Sequence, residues 1–177
     1  MKKAIILALA CILVAAAAPV WAAKTMPPFK AKDVDGKKVS FEDLAAENEL
    51  MAFVFFGMDC GPCKNELVEV NKFADDYDGF AVVAVSTDTA RTSSQVKPYV
   101  KGQGFKFAVL LDEDGELVRA LGIPGNPYSF LVTAEGDIIW EHSGYRKGDE
   151  KKMKEEIEAF LGSAGECPPN ASDPVED

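Results

Sequence analysis

Cys60-Gly61-Pro62-Cys63 constrains this chain more than any other feature, because of what stands on either side of it. Before it, Leu50 to Phe56 is an unbroken apolar run between polar residues, the pattern of a short strand buried on both faces. After it, Lys64 to Tyr77 places Leu67, Val70, Phe73 and Tyr77 at helical spacing, with Glu69, Lys72, Asp75 and Asp76 on the other side. A strand that runs into C-x-x-C at the start of a helix puts two sulfurs in one helical turn, close enough to form and reopen a disulfide. The first sulfur, that of Cys60, then lies among unpaired N–H groups at the positive end of the helix dipole, where thiolate is favoured over thiol. Pro62 falls in the first turn, where its missing N–H costs nothing. A structural disulfide or half of a zinc site would use the same residues. Tetrahedral zinc takes four ligands, however, and the sequence has no second C-x-x-C and a single histidine, His142, which reads as a solvated polar residue rather than a ligand. The spacing points to a redox-active pair.

The first 22 residues follow a separate logic. Lys2 and Lys3 precede an apolar run, Ala4 to Val20, that closes on Val20-Trp21-Ala22. A positive start, an apolar middle and a small residue at the cut predict a bacterial secretory signal cleaved after Ala22. The alternative, a retained membrane anchor, is disfavoured because the run is rich in Ala and near the lower length limit for spanning. A lipoprotein reading through Cys11 is weaker: Ala8 stands where a large aliphatic residue is expected, and the apolar run continues past the cysteine. Cleavage would leave 17 basic against 29 acidic residues, moving the net charge from −10 to −12, which argues against nucleic acid and anionic membrane surfaces as partners. It would also leave Cys60, Cys63 and Cys167, a close pair and a remote single, which fits a catalytic pair better than a disulfide-stapled scaffold.

The rest of the chain, 47% hydrophobic, is enough for one domain with a substantial core, expected over residues 23–162. Lys32 to Val39 reads as a hairpin around Asp35-Gly36, and Ser40 as a helix cap with Asp43 three residues on. Phe80 to Val85 and Phe107 to Leu111 are further buried strands. Ser93 to Lys101 is predicted helical despite Pro98, and Glu116 to Leu121 is a short helix. Ser129 to Thr133 and Asp137 to Glu141 form a hairpin, and Asp149 to Leu161 a closing helix with Met153, Ile157, Phe160 and Leu161 inward. Strands alternating with helices predict an α/β fold, a central mixed sheet with helices on both faces. Residues 163–177 turn acidic and Pro-containing, a tail expected to be disordered.

With these elements in place, the chain resembles the thioredoxin superfamily, and within it the secreted TlpA/ResA-like thiol–disulfide oxidoreductases. The likeness covers about Pro27 to Leu161 and is most specific in FVFFGMDCGPCKNEL (Phe53 to Leu67), VVAVSTD (Val82 to Asp88) and LGIPGNPYSFLV (Leu121 to Val132). In that family a cis-proline faces the disulfide, followed by a small hydroxyl residue and an apolar strand. Pro127, with Ser129 and Phe130, matches it better than Pro124 does. The resemblance implies that Cys60 attacks, that Cys63 resolves, and that Gly61, Pro62, Asn126 and Pro127 meet the substrate, with the backbone of Asn126 open for strand-like pairing. It gives Glu66, three residues after Cys63, a part in proton transfer at the second cysteine. Thioredoxin itself uses an Asp six residues before the first cysteine, where this chain has Val54. Spacing alone leaves Glu66 equally readable as a solvated surface residue. Asp59 replaces the Trp usual before the first cysteine, and a carboxylate there disfavours the Cys60 thiolate.

The resemblance further implies protein disulfides as substrates, apocytochrome c thiols among them, a membrane thiol carrier as electron donor, and a periplasmic or otherwise extracytoplasmic setting. It implies neither cofactor nor metal, and a monomer with a minor Cys167-linked dimer. Two rival readings share the residues. Gly57-Met58 before the C-x-x-C fits the loop of small Cu(I)-carrying domains, which are much shorter and lack the later proline. Thiol peroxidases share the fold but need a Thr three residues before the cysteine and a Pro further upstream, where this chain has Gly57 and Phe53.

Overall fold

The computed structural model describes residues 24–164. The signal segment with its cut after Ala22, Cys11, and the tail with Cys167 lie outside the described residues. Among those described, no helix is long and apolar enough to cross a membrane.

A hairpin comes first. Strand β1 (Lys30–Asp33) pairs with β2 (Lys38–Ser40), Lys32 opposite Lys38. The Asp33 carboxylate accepts the N–H groups of Asp35 (2.9 Å) and Lys37 (2.8 Å), while Gly36 takes the positive φ of +86° that the turn requires. Ser40 then caps helix α1 (Phe41–Ala45) through a complete capping box with Asp43, tighter than its sequence suggests. Strand β3 (Leu50–Phe56) leads into helix α2 (Gly61–Val70) and strand β4 (Phe80–Ser86). Next come a 3₁₀ turn (Ser93–Gln95), helix α3 (Val96–Gln103), strand β5 (Ala108–Leu111), helix α4 (Glu116–Leu121), strands β6 (Tyr128–Thr133) and β7 (Ile138–Ser143), and helix α5 (Glu150–Ala164). Pro98 is accommodated because it falls in the first turn of α3, where backbone N–H groups have no helical partner.

The seven strands form one sheet in the order β2-β1-β5-β4-β3-β6-β7. β3, β4 and β5 run parallel, and the β3–β6, β6–β7, β1–β5 and β1–β2 pairs are antiparallel. β3 lies at the centre, and its alternation sorts the core. Leu50, Ala52, Val54 and Phe56 face α2, α3 and α5, meeting Leu67, Val70, Val96, Met153 and Ile157. Met51, Phe53 and Phe55 face the other way, towards Phe41 of α1, Leu117 and Leu121 of α4, and Phe130. Every β3 residue is buried, so the run carries no polar alternation. This is the expected α/β architecture, a mixed sheet covered on both faces.

Two boundaries differ from the sequence pattern. The helix after Cys63, expected to reach Tyr77, ends at Val70. From Lys72 the backbone bonds shift to the third residue back (Lys72 to Glu69, 3.1 Å; Phe73 to Val70, 3.2 Å), and the Asn71 side chain accepts the Lys106 N–H. Phe73 and Ala74 still pack inward from these turns, so the apolar spacing outlasts the helix. β7 extends to Ser143 rather than ending at Glu141, because its pairing with β6 continues to Tyr128 opposite Ser143.

Candidate active site

β3 ends at Phe56, and beyond a three-residue loop Cys60 stands as the N-cap of α2, with extended backbone (φ −92°, ψ 103°). Its Sγ accepts the Cys63 N–H at 3.2 Å, one of the donors that a helix start leaves unpaired. Gly61 and Pro62 occupy the exposed first turn. Cys60 and Cys63 are joined in a disulfide, with Cα atoms 5.3 Å apart. The two sulfurs are not equivalent. Cys63 has no exposed surface, whereas Cys60 is half-buried at the rim. The loop before Cys60 is fixed by Asp88, just past β4, whose carboxylate accepts the Met58 N–H (3.0 Å) and the Ser86 hydroxyl (2.9 Å).

Glu66 lies one turn beyond Cys63 and is 3% exposed, which excludes the solvated-surface reading. The Ser129 hydroxyl donates to its Oε1 at 2.5 Å, while Oε2 is buried without a partner among the described residues. Burial pushes the Glu66 carboxyl up from 4.5 to about 7. The Ser129 bond opposes that rise, and the negative charges of Asp149 and Glu150 add to it. Those two carboxylates belong to the turn that opens α5. Glu150 accepts the Tyr145 hydroxyl (2.8 Å), and Asp149 lies 3.3 Å from His142 Nε2. His142 is itself half-buried and stacked on Trp140, with ring centroids 5.7 Å apart, and so is less solvated than its sequence position suggests.

The second wall of the site comes from the loop before β6. The Asn126–Pro127 peptide is cis, and the Pro127 carbonyl accepts the Gly144 N–H at 2.9 Å. The pairing of Phe55 with Tyr128 places this loop at the same end of the sheet as Cys60. Among the described residues nothing pairs with the backbone N–H or C=O of Asn126. Gly57 lets the two loops approach: a Cβ there would sit 3.1 Å from Asp59 Oδ1 and 3.3 Å from Asn126 Nδ2. Asp59 is exposed, so water screens its charge from Cys60. Sequence reasoning brought Cys60, Cys63, Glu66, Asn126 and Pro127 to one place and missed two contributors. Thr87 receives the Asn126 amide at 2.6 Å, and Asp88 holds the Met58 N–H. Both stand in the VVAVSTD segment, the one signal that marked them.

Residues 22–157 match the Redoxin family. The thiol–disulfide oxidoreductase ResA of Bacillus thuringiensis subsp. konkukian is 30% identical over 138 residues, covering 78% of this chain and 75% of that protein. Among solved structures, a Chlorobium tepidum protein assigned as the thiol:disulfide interchange protein DsbE superposes with a TM-score of 0.71 at 27% identity, over 79% of this chain and 97% of that one. A thioredoxin-like protein of Porphyromonas gingivalis does so with a TM-score of 0.67 at 30% identity, over 78% and 92%.

Proposed function

The chain belongs to the Redoxin family as a ResA-like thiol–disulfide oxidoreductase, and we propose that it acts outside the cytoplasm as a reductase of protein disulfides. The observation that carries the assignment of roles is the unequal exposure of the pair: Cys60 reaches the rim and Cys63 does not. In the reduced protein, the Cys60 thiolate attacks a substrate disulfide. One substrate sulfur leaves as thiolate, and Cys60 is joined to the other. Cys63 then gives up its proton and attacks Cys60 Sγ. The Cys60–Cys63 disulfide forms, the second substrate thiolate leaves, and two electrons have passed to the substrate. Glu66, with its carboxyl near 7, is poised at neutral pH to accept the Cys63 proton. Gly61 and Pro62 form the exposed floor of the approach, and Asn126 and Pro127 its far edge. A reduced thiol carrier in the membrane returns two electrons and two protons to the pair. Apocytochrome c thiols are one client class consistent with the ResA and DsbE likenesses.

The test is trapping. Cys60→Ala abolishes reduction of insulin disulfides, while reduced Cys63→Ala accumulates mixed disulfides through Cys60. Preferential alkylation of Cys63 in the reduced wild type at neutral pH would reverse the roles. Recovery of the full chain from the cell envelope fraction without its first 22 residues tests the export.

A further inference from the structure

We infer that Thr87 is a positioning residue for polypeptide substrates, tying the edge at Asn126 to the strand end from which Cys60 projects. Thr87 directly follows β4. Its N–H donates to the Phe56 carbonyl at 2.9 Å, and its hydroxyl donates to the same oxygen at 3.2 Å. A hydroxyl carries one proton, so with that proton committed to Phe56 its oxygen is left as an acceptor. The Asn126 amide fills that role at 2.6 Å, from 39 positions away in sequence. The result is a directed chain from Asn126 Nδ2–H to Thr87 Oγ1–H to the Phe56 carbonyl. One end of it fixes the side chain of the residue before Pro127. The other end is the last residue of β3, four residues before Cys60.

The surroundings leave room for this tie. A Cβ on residue 57 would lie 3.3 Å from the Asn126 amide nitrogen and 3.7 Å from Thr87 Oγ1, so the glycine keeps side-chain bulk off both. The free backbone N–H and C=O of Asn126 face no partner among the described residues, while its carboxamide is held. A bonded side chain beside an unbonded backbone is what a docking edge requires, since the ordering of the loop is completed before substrate arrives. An extended peptide with a disulfide gains from that edge. A small disulfide has no backbone to pair and does not. The inference rests on the reading of Cys60 as the attacking thiol and of Asn126 as the substrate edge.

The experiment compares two substrates, insulin and 2-hydroxyethyl disulfide, reduced by the full chain carrying Thr87→Val, Thr87→Ser or Asn126→Ala. Valine keeps the shape and deletes the hydroxyl, and serine keeps the hydroxyl. Asn126 is exposed, so its replacement leaves the core untouched. Thr87→Val is expected to lower kcat/KM for insulin about fivefold, the equivalent of one lost hydrogen bond, chiefly through KM. The small disulfide should be reduced at the wild-type rate by every variant, which reads the thiol chemistry separately from the edge. Thr87→Ser should restore insulin reduction. Thr87→Val combined with Asn126→Ala should be no worse than Asn126→Ala alone, because both cut the same chain. Equal loss on both substrates would place the effect in the fold or the cysteine pair and overturn the inference. An unchanged KM for insulin in Thr87→Val, or failure of serine to restore it, would overturn it as well.

Discussion

Replacing Glu66 with glutamine should change how stability depends on pH, by an amount the structure sets. Glu66 is 3% exposed, and its carboxyl is raised from 4.5 to about 7, first by burial and then by the charges of Asp149 and Glu150. Well below pH 4.5 the group is neutral in folded and unfolded chains alike. Between there and pH 7 the unfolded chain releases the proton while the folded one retains it, so stability falls as pH rises. Above about pH 7 both states are ionised, and the loss levels off at about 3 kcal/mol, the free energy equivalent of the rise in pKa. In Glu66→Gln the side chain would be neutral throughout and accept the same Ser129 hydroxyl, so the variant should escape this fall. Urea denaturation of the oxidised proteins at about pH 4, 7 and 9 measures it cleanly, because Cys60 and Cys63 do not titrate while joined. The variant should match wild type at about pH 4 and exceed it by about 3 kcal/mol at about pH 9. The difference between the two isolates Glu66, since all other groups titrate in both. Parallel pH–stability curves would refute the reasoning and remove Glu66 as a neutral-range proton acceptor for Cys63.

Ser129→Ala removes the one bond that pulls the Glu66 carboxyl down, so the same titration should show the fall in stability extending to higher pH than in wild type. Phe53→Ala should cost about 3–5 kcal/mol by urea denaturation, because Phe53 is fully buried and rings of Phe29 and Phe130 lie 6.1 Å and 5.5 Å from its own. Deleting residues 163–177 should abolish a reducible dimer through Cys167 on non-reducing gels while leaving insulin reduction intact. Loss of activity on deletion would instead bring Cys167 into the mechanism.

The fold was legible where one rule governed a segment. β3 could be read to its ends because a strand covered on both faces is apolar throughout. α4 could be read because Gly115 and Gly122 bracket its apolar positions. The end of α2 could not, because side chains continue to face the core after the hydrogen bonds have changed. Phe73 and Ala74 are buried from turns as they would be from a helix. Periodicity reports which way side chains face, and only indirectly the bonds behind them. The same limit applies at the site. Spacing placed Glu66 and Cys63 on one face of a helix but could not say what covers that face. The cover is Ser129, 63 positions away, and the turn that opens α5. Thr87 and Asn126 were harder still, two polar loop residues with no periodicity, joined only by the sheet order.

Glu66 also accounts for a departure from the thioredoxin pattern that the sequence left open. Val54 stands where thioredoxin carries its buried acid, six residues before the first cysteine. In the sheet, Val54 is paired with Ser129 across β3 and β6, and Val54 faces the same side of the sheet as Cys63. Ser129 is the residue whose hydroxyl binds Glu66. The carboxylate reaching from α2 therefore meets the β6 residue that is the cross-strand partner of position 54, arriving from the helix instead of the strand. An acid at both positions would put two buried negative charges beside one hydroxyl donor, raising the cost of ionising either. Valine at 54 is thus the counterpart of glutamate at 66. In this arrangement a single buried acid serves the cysteine pair, and the carboxylates at the start of α5 set how readily it ionises.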